Sequence, residues 1–284
     1  MYANYWGLDE IPFRNTVEAR WFYESPFHEE ALARLLFLVE HRRRCGLLLG
    51  PAGTGKTLLL EVLRRELTRS CGKLARIDAC GRSSRELLWE VTSELGLCPR
   101  MEDGQHRLWR RLDDHLQAAR YSRASTVLLL DHVERAPAET QSMIERLGQL
   151  SSRDDAGFTI ILGVRGERPQ NLSNGLLELA DLRMELTPLD RLQTEQYVET
   201  LLFKAGATRT LFEVAALERL FLETAGVPRA LNRLCDMALL AGMAERAPAI
   251  TESIVAGAAE EVSSGARRIA HGGPHSRHRT AVSV

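Results

Sequence analysis

The stretch Leu47-Leu48-Leu49-Gly50-Pro51-Ala52-Gly53-Thr54-Gly55-Lys56-Thr57 decides the fold of this chain. An apolar run ends at Gly50, and the residues from there to Thr57 fit the pattern G-x-x-x-x-G-K-[ST] without a gap. Glycines let successive backbone N–H groups turn towards a phosphate, and a helix that begins here directs its positive end at the same charge. The stretch therefore predicts a strand, a phosphate-binding loop and a helix.

The same residues predict a nucleotide site with ATP and Mg²⁺ as cofactors. Lys56 is expected to place a cation on the β- and γ-phosphates, and Thr57 to offer a hydroxyl to Mg²⁺. Lysine occurs only at positions 56, 73 and 204, so the chain rarely meets this pattern by chance. The loop residues expected to surround the phosphates are Gly50, Pro51, Ala52, Gly53, Thr54 and Gly55.

A second apolar run, at 126–130, ends in the carboxylate of Asp131. A continuous run of this kind is typical of a strand that is buried on both faces of a parallel sheet. Proteins with such sheets bind ligands beyond the carboxyl ends of the strands. Because a phosphate loop lies upstream, Asp131 is expected to help Thr57 to hold Mg²⁺.

The residue that activates the attacking water is left open between His132 and Glu134. ATPases of this plan usually place a glutamate directly after the aspartate, whereas this chain reads Asp131-His132-Val133-Glu134. His132 can accept a proton near neutral pH. If the segment stays extended, positions 132 and 134 point the same way, and Glu134 can approach the site. Slow hydrolysis is the third possibility.

Strands and helices alternate from residue 46 to residue 187, which predicts a three-layer α/β core with a five-stranded parallel sheet. The predicted strands span 46–49, 73–78, 126–131, 158–164 and 181–187. Residues 188–262 contain helical patterns alone and predict a small all-helical lid domain. Residues 1–45 are expected to form an aromatic segment and a helix that pack on the core. Residues 263–284 are expected to be a disordered basic tail.

The composition is that of an ordinary soluble protein, with 44% apolar and 26% charged residues. The net charge is −1, and the four arginines after residue 262 leave about −5 for the rest, so the body has no basic footprint for nucleic acid. The five cysteines are scattered without a C-x-x-C pair, which favours free thiols in a reducing compartment. Since the sequence shows neither a signal peptide nor an apolar run of membrane length, a cytoplasmic location without a membrane span is expected.

The chain resembles the AAA+ ATPases, and among them the group of general secretion pathway protein A, from about residue 5 to residue 261. The resemblance implies an α/β core and a helical lid with ATP bound between them. The motifs that carry it are Gly7-Leu8, Pro12-Phe13, Tyr23-Glu24-Ser25-Pro26-Phe27-His28-Glu29-Glu30-Ala31, Gly53-Thr54-Gly55-Lys56-Thr57, Leu186-Thr187-Pro188-Leu189 and Gly226-Val227-Pro228-Arg229-Ala230-Leu231-Asn232-Arg233-Leu234-Cys235.

The resemblance also implies roles for two arginines. Arg229 matches the sensor-2 arginine that contacts the γ-phosphate from the lid, and Arg183 lies near the position of an arginine finger that acts on a neighbouring subunit. Such a finger makes hydrolysis depend on assembly, so a homo-oligomer formed on ATP binding is expected.

The sequence departs from the family pattern in two respects. His132 stands where the family has a glutamate, which puts an ordinary rate of hydrolysis in question. The membrane span and the peptidoglycan-binding domain of the secretion proteins are not found in this chain, so a direct role at the cell wall is not expected.

Three functions are compatible with these patterns. The leading one is an ATPase that uses changes of its lid or oligomer to position or remodel a protein partner, in an assembly of the secretion, pilus or export type. The second is a DNA-associated regulator similar to the ATP-dependent transposition proteins of the same superfamily, which the acidic body disfavours. The third is a binding module that holds ATP without hydrolysing it, which His132 favours.

Overall fold

A computed structural model describes residues 2–69, 71–151, 157–166 and 170–271. The contacts between residues divide the chain into two compact units. The larger unit comprises Thr16–Leu189 together with Val227–Arg229, and the smaller comprises the residues up to Asn15, Asp190–Gly226 and the chain from Ala230 onward. The helices, in chain order, are α1 (Tyr2–Trp6), α2 (Pro26–Glu40), α3 (Lys56–Leu67), α4 (Ser84–Glu94), α5 (Gln105–Tyr121), α6 (Ala138–Ser151), α7 (Asn174–Leu179), α8 (Arg191–Lys204), α9 (Val214–Thr224), α10 (Pro228–Ala244) and α11 (Glu252–His271).

The larger unit is built on a five-stranded sheet in which every pair of neighbouring strands is parallel. The predicted five-stranded parallel sheet is thereby confirmed. The strand order is β2-β3-β4-β1-β5. The strands are β1 (Cys45–Leu49), β2 (Lys73–Asp78), β3 (Thr126–Asp131), β4 (Phe158–Gly163) and β5 (Leu182–Glu185).

Helices cover both faces of this sheet, which explains why its three central strands are buried throughout and mainly apolar. Every residue of β1, β3 and β4 is buried. Successive side chains of a strand point to opposite faces, so Leu128 packs with α4, α5 and α6, whereas Leu129 packs with α2 and α3. The two apolar layers and the sheet between them make the three-layer architecture that the sequence predicts.

The parallel arrangement brings three chain segments together at one edge of the sheet. The phosphate loop follows β1, His132 follows β3, and Val164 follows β4, and these three strands are neighbours in the sheet. Backbone hydrogen bonds fix the register there, since the N–H of Val164 donates to Leu48 at 2.9 Å and the N–H of Gly166 donates to Gly50 at 2.9 Å.

The smaller unit consists of helices and includes the first residues of the chain. The indole N–H of Trp6 donates to the carbonyl of Leu239 in α10 at 2.9 Å, and the ring of Phe13 meets that of Phe212 edge to face at 6.4 Å. Residues up to Asn15 thus lie with the helices, whereas the sequence placed all of 1–45 on the core. The four-part division of the chain otherwise stays a prediction.

The last helix is longer than its sequence pattern indicates. α11 continues to His271, past the predicted end of the helical lid at residue 262 and into the segment expected to be a disordered tail. The rest of that segment, 272–284, lies outside the described residues. No helix in the described part of the chain is both long and apolar enough to cross a membrane.

Helix α4 begins at a capping box formed by Ser83 and Glu86. The N–H of Glu86 donates to the hydroxyl of Ser83 at 3.4 Å, and the N–H of Ser83 donates to the carboxylate of Glu86 at 2.9 Å. Replacing Ser83 with alanine is expected to lower the free energy of unfolding by about 1 kcal/mol, because an N-terminal N–H of the helix loses its partner. Urea denaturation measures this change.

The matched control is Ser84→Ala, which alters the next serine without removing the cap. Alanine is a good helix former, so this variant is expected to be as stable as the natural protein or slightly more stable. An equal loss of stability in both variants would show that the cap does not stabilise α4.

Candidate functional site

The phosphate loop joins β1 to α3 through a backbone that places several glycines in the left-handed region, which disfavours other residues. Gly53 and Gly55 have φ angles of +88° and +99°. A Cβ atom at Gly55 would also lie 2.9 Å from Nε2 of His28. Helix α3 begins at Lys56 without a side chain that caps its first N–H groups. Helical N–H groups without a capping side chain are suited to bind an anion.

Lys56 is buried within this loop and its charge is destabilised. Its Nζ donates hydrogen bonds to the carbonyls of Gly50 and Pro51, each at 2.7 Å. Burial lowers the pKa of Lys56 to about 8, although the carboxylates of Asp131 and Glu134 favour the charged form. An ammonium group that is partly stripped of water in this way gains from a nearby phosphate.

Thr57 and Asp131, the two predicted Mg²⁺ ligands, are in direct contact. The hydroxyl of Thr57 donates to the carboxylate of Asp131 at 2.6 Å, and Asp131 is 3% exposed. Gly163 in β4 leaves room for this carboxylate, since a Cβ there would lie 2.7 Å from Oδ1. A hydroxyl and a carboxylate are the oxygen ligands that Mg²⁺ prefers, so the pair fits the predicted ion.

The chain turns sharply after Asp131, which corrects the extended geometry considered for this segment. His132 has a φ of +54° in the left-handed region, and residues Val133–Arg135 form a single 3-10 turn. The N–H of His132 donates to Asp131 at 2.9 Å, and its Nδ1 lies 3.1 Å from the carboxylate of Asp78 at the end of β2. The alternation of an extended strand therefore does not decide where His132 and Glu134 point.

One carboxylate oxygen of Glu134 accepts a backbone hydrogen bond, and the other has no hydrogen-bond partner among the described residues. Its Oε2 accepts a hydrogen bond from the N–H of Arg165 at 3.1 Å. Its Oε1 is buried and has no hydrogen-bond partner among the described residues. The charge of Glu134 raises the pKa of Lys56, so the carboxylate lies within electrostatic range of the phosphate loop.

The two arginines singled out by sequence, Arg183 and Arg229, occupy different places in the larger unit, and Arg165 accompanies Arg229 near the phosphate loop. The N–H of Arg229 donates to the carbonyl of Gly53 at 3.2 Å, and the charges of Arg229 and Arg165 both lower the pKa of Lys56. Arg183 lies exposed on the edge strand β5 and donates to the carbonyl of Leu177 at 2.7 Å. Arg165 and Arg229 thus share the electrostatic environment of Lys56, whereas Arg183 faces outward.

His28 contacts the phosphate loop, although sequence reasoning did not include it among the site residues. It is 5% exposed, and its Nε2 lies 3.0 Å from the carbonyl oxygen of Thr54. One feature of the sequence could have pointed to His28. Ser25 is a capping residue at the start of α2, and its hydroxyl accepts a hydrogen bond from the N–H of His28, three positions later. The 26 residues that separate His28 from Thr54 hide this contact from any local pattern.

Comparison with known proteins finds relatives of this chain. Residues 39–169 match the family described as AAA domain. The chain is 30% identical over 267 residues to general secretion pathway protein A of Aeromonas hydrophila, a match that includes 93% of this chain and 49% of that protein. The chain therefore spans about half the length of this curated relative.

Solved structures of AAA+ proteins have the same fold. Drosophila ORC bound to DNA has a TM-score of 0.72 at 17% identity, with 91% of this chain and 66% of that chain covered. The Thermotoga maritima RuvB Holliday junction branch migration motor has a TM-score of 0.53 at 18% identity, with 82% and 68% covered. At these identities the likeness shows the fold alone, and that fold is the predicted α/β fold with a phosphate loop.

The lowered pKa of Lys56 predicts how nucleotide affinity depends on pH. Phosphates favour the ammonium form, which the folded protein loses as the pH rises through about 8. The affinity for ATP is therefore expected to fall progressively between about pH 7 and about pH 9.5, a range in which an unperturbed lysine would stay charged. Isothermal titration calorimetry at several pH values measures the affinity.

The control for this measurement is Lys56→Arg, which keeps its charge over the whole range. Its affinity is expected to be lower than that of the natural protein and nearly independent of pH. The same decline of affinity in Lys56→Arg would assign the pH dependence to another group.

Proposed function

We propose that this chain, whose residues 39–169 match the AAA domain family, binds ATP with Mg²⁺ and hydrolyses it. The observation that carries the proposal is the 2.6 Å hydrogen bond between Thr57 and Asp131, next to the buried cation of Lys56. A phosphate loop, its lysine and a pair of Mg²⁺ ligands at one sheet edge are the parts that phosphoryl transfer requires.

The proposed mechanism assigns binding to the loop and charge stabilisation to the cations. The N–H groups of the phosphate loop and the N-terminus of α3 bind the phosphates. Thr57 and Asp131 would hold Mg²⁺, and the bound ion would supply positive charge to offset the charge that develops on the phosphate oxygens. Lys56 and Arg229 place positive charge near the same oxygens, which stabilises the transition state more than the ground state.

Glu134 is our choice as the residue that orients the attacking water. Oε1 is buried and has no partner in the part of the chain that the structure describes, which is costly, and a water molecule could supply the hydrogen bond. The carboxylate lies in the electrostatic environment of Lys56, and the N–H of Arg165 fixes its position. His132 directs one ring nitrogen at Asp78 instead, which favours a role in fixing the turn after β3.

The proposed work of the cycle is to position or remodel a protein partner. The similarity to a general secretion pathway protein supports a partner in an assembly of the secretion, pilus or export type. The likeness to DNA-bound ORC proteins adds nothing to the DNA-associated alternative, since it shows the fold alone. A homo-oligomer is part of the proposal, because Arg183 is exposed on an edge strand where it could reach a second copy.

The assignment of the base predicts a separation of binding from hydrolysis. Glu134→Gln keeps the size and the hydrogen bond of the side chain and removes its basicity. Turnover is expected to fall at least about a hundredfold, while the affinity for ATP stays close to that of the natural protein. Phosphate release measures turnover, and calorimetry measures affinity.

His132→Gln is the matched variant, and it is expected to keep most of the activity. Lys56→Ala provides the blank for ATP turnover. Loss of turnover in His132→Gln alone would identify His132 as the base. ATP binding without any turnover by the natural protein would overturn hydrolysis and leave a nucleotide-held binding module.

The proposed arginine finger predicts that activity depends on assembly. Turnover per protein molecule is expected to rise with protein concentration and to be lost in Arg183→Ala, since the finger acts on the neighbouring subunit. An equal mixture of Arg183→Ala and Lys56→Ala is expected to regain activity, because one variant binds ATP and the other supplies the finger. A coupled ATPase assay measures both effects.

Arg110→Ala removes another exposed arginine, on α5, and serves as the control for general charge effects. It is expected to behave like the natural protein. Activity that is independent of concentration, or a mixture that stays inactive, would contradict the role of Arg183.

A further inference from the structure

His28 connects the beginning of α2 to the phosphate loop through both of its ring nitrogens. Nε2 lies 3.0 Å from the carbonyl oxygen of Thr54, and Nδ1 lies 2.7 Å from the hydroxyl of Ser25. The ring of Phe22 packs edge-on against the imidazole at 5.5 Å. The imidazole is therefore confined between α2 and the loop in a single orientation.

The hydrogen bonds also determine which nitrogen carries the proton. The carbonyl of Thr54 can only accept, so Nε2 of His28 must be the donor. In the neutral ring Nδ1 then accepts, and the hydroxyl of Ser25 donates to it. Burial lowers the pKa of His28, which keeps the ring neutral and this arrangement intact at physiological pH.

The bond to Thr54 fixes the direction of the next N–H in the loop. The carbonyl of Thr54 and the N–H of Gly55 belong to one trans peptide group, so they point in opposite directions. Because His28 binds the carbonyl of Thr54, the N–H of Gly55 points away from α2. Gly55 is the N-cap residue of α3, so this N–H lies at the N-terminal end of that helix. This is where the loop is expected to bind a phosphate.

We propose that His28 is a positioning residue for nucleotide binding, which holds the Thr54–Gly55 peptide so that the N–H of Gly55 is available to the phosphates. The proposal rests on the proposed function, because this orientation matters only if the loop binds a nucleotide. Gly55 supports it independently, since any side chain there would collide with Nε2 of His28 at 2.9 Å. The imidazole and the glycine are thus matched to each other.

Two amide substitutions test the proposal, because they place a donor at different depths. Glutamine places its N–H₂ group near the position of Nε2, whereas asparagine is shorter and places it near Nδ1. Calorimetry with Mg-ADP, which avoids turnover, measures the affinity of each variant. His28→Gln is expected to bind within a few-fold of the natural protein, and His28→Asn about tenfold more weakly, the loss expected for one hydrogen bond.

Urea denaturation without nucleotide separates this effect from a loss of stability. The two variants are expected to unfold at similar urea concentrations, so that their difference in affinity reports the loop alone. If His28→Asn does not fold, Ser25→Ala takes its place, because it frees Nδ1 and lets the ring rotate. Ser25→Ala is then expected to bind Mg-ADP several-fold more weakly than the natural protein.

Each outcome decides the matter. Recovery of affinity in His28→Gln but not in His28→Asn supports the proposal. Equal affinities in the two variants, or unchanged affinity in Ser25→Ala, would overturn it. Failure of the natural protein to bind Mg-ADP or Mg-ATP would overturn the proposed function itself, and the inference about His28 with it.

Discussion

The hydrogen bond from Thr57 to Asp131 joins the first turn of α3 to the end of β3. The parallel sheet brings these two residues together, so the site depends on the sheet. Parallel strands end at the same edge, so residues 74 positions apart along the chain meet there at 2.6 Å. The sheet in turn requires apolar strands that are covered on both faces. The core is therefore what sets the distance between the proposed metal ligands.

The parts of the site that the sequence predicts are those fixed by local chemistry. Gly53 and Gly55 can be identified from the sequence because their backbone angles disfavour other residues. Asp131 can be identified because an apolar strand ends there. The turn after Asp131 could not be predicted, because His132 adopts a left-handed conformation although it is not a glycine. Its hydrogen bonds to Asp131 and Asp78 depend on strand neighbours, and the sequence does not show which strands are adjacent.

Distance along the chain also explains why the first residues could not be placed. The aromatic side chains of Trp6 and Phe13 are expected to be buried, but the sequence does not indicate against which part of the protein they pack. Their partners, Leu239 and Phe212, follow about two hundred residues later in the helical unit. Local patterns identify the residues that must be buried, whereas the choice between two cores is made by packing.

The burial of Lys56 and the positive charges around it destabilise the folded protein, and a bound nucleotide would offset this effect. A buried ammonium group whose pKa is lowered to about 8 destabilises the folded protein near neutral pH, and Arg165 and Arg229 add to the positive charge. Asp131 and Glu134 offset only part of it. A bound polyphosphate would compensate the remainder, and any ligand that binds only the folded state stabilises that state. Nucleotide binding and folding stability are therefore coupled through the same lysine.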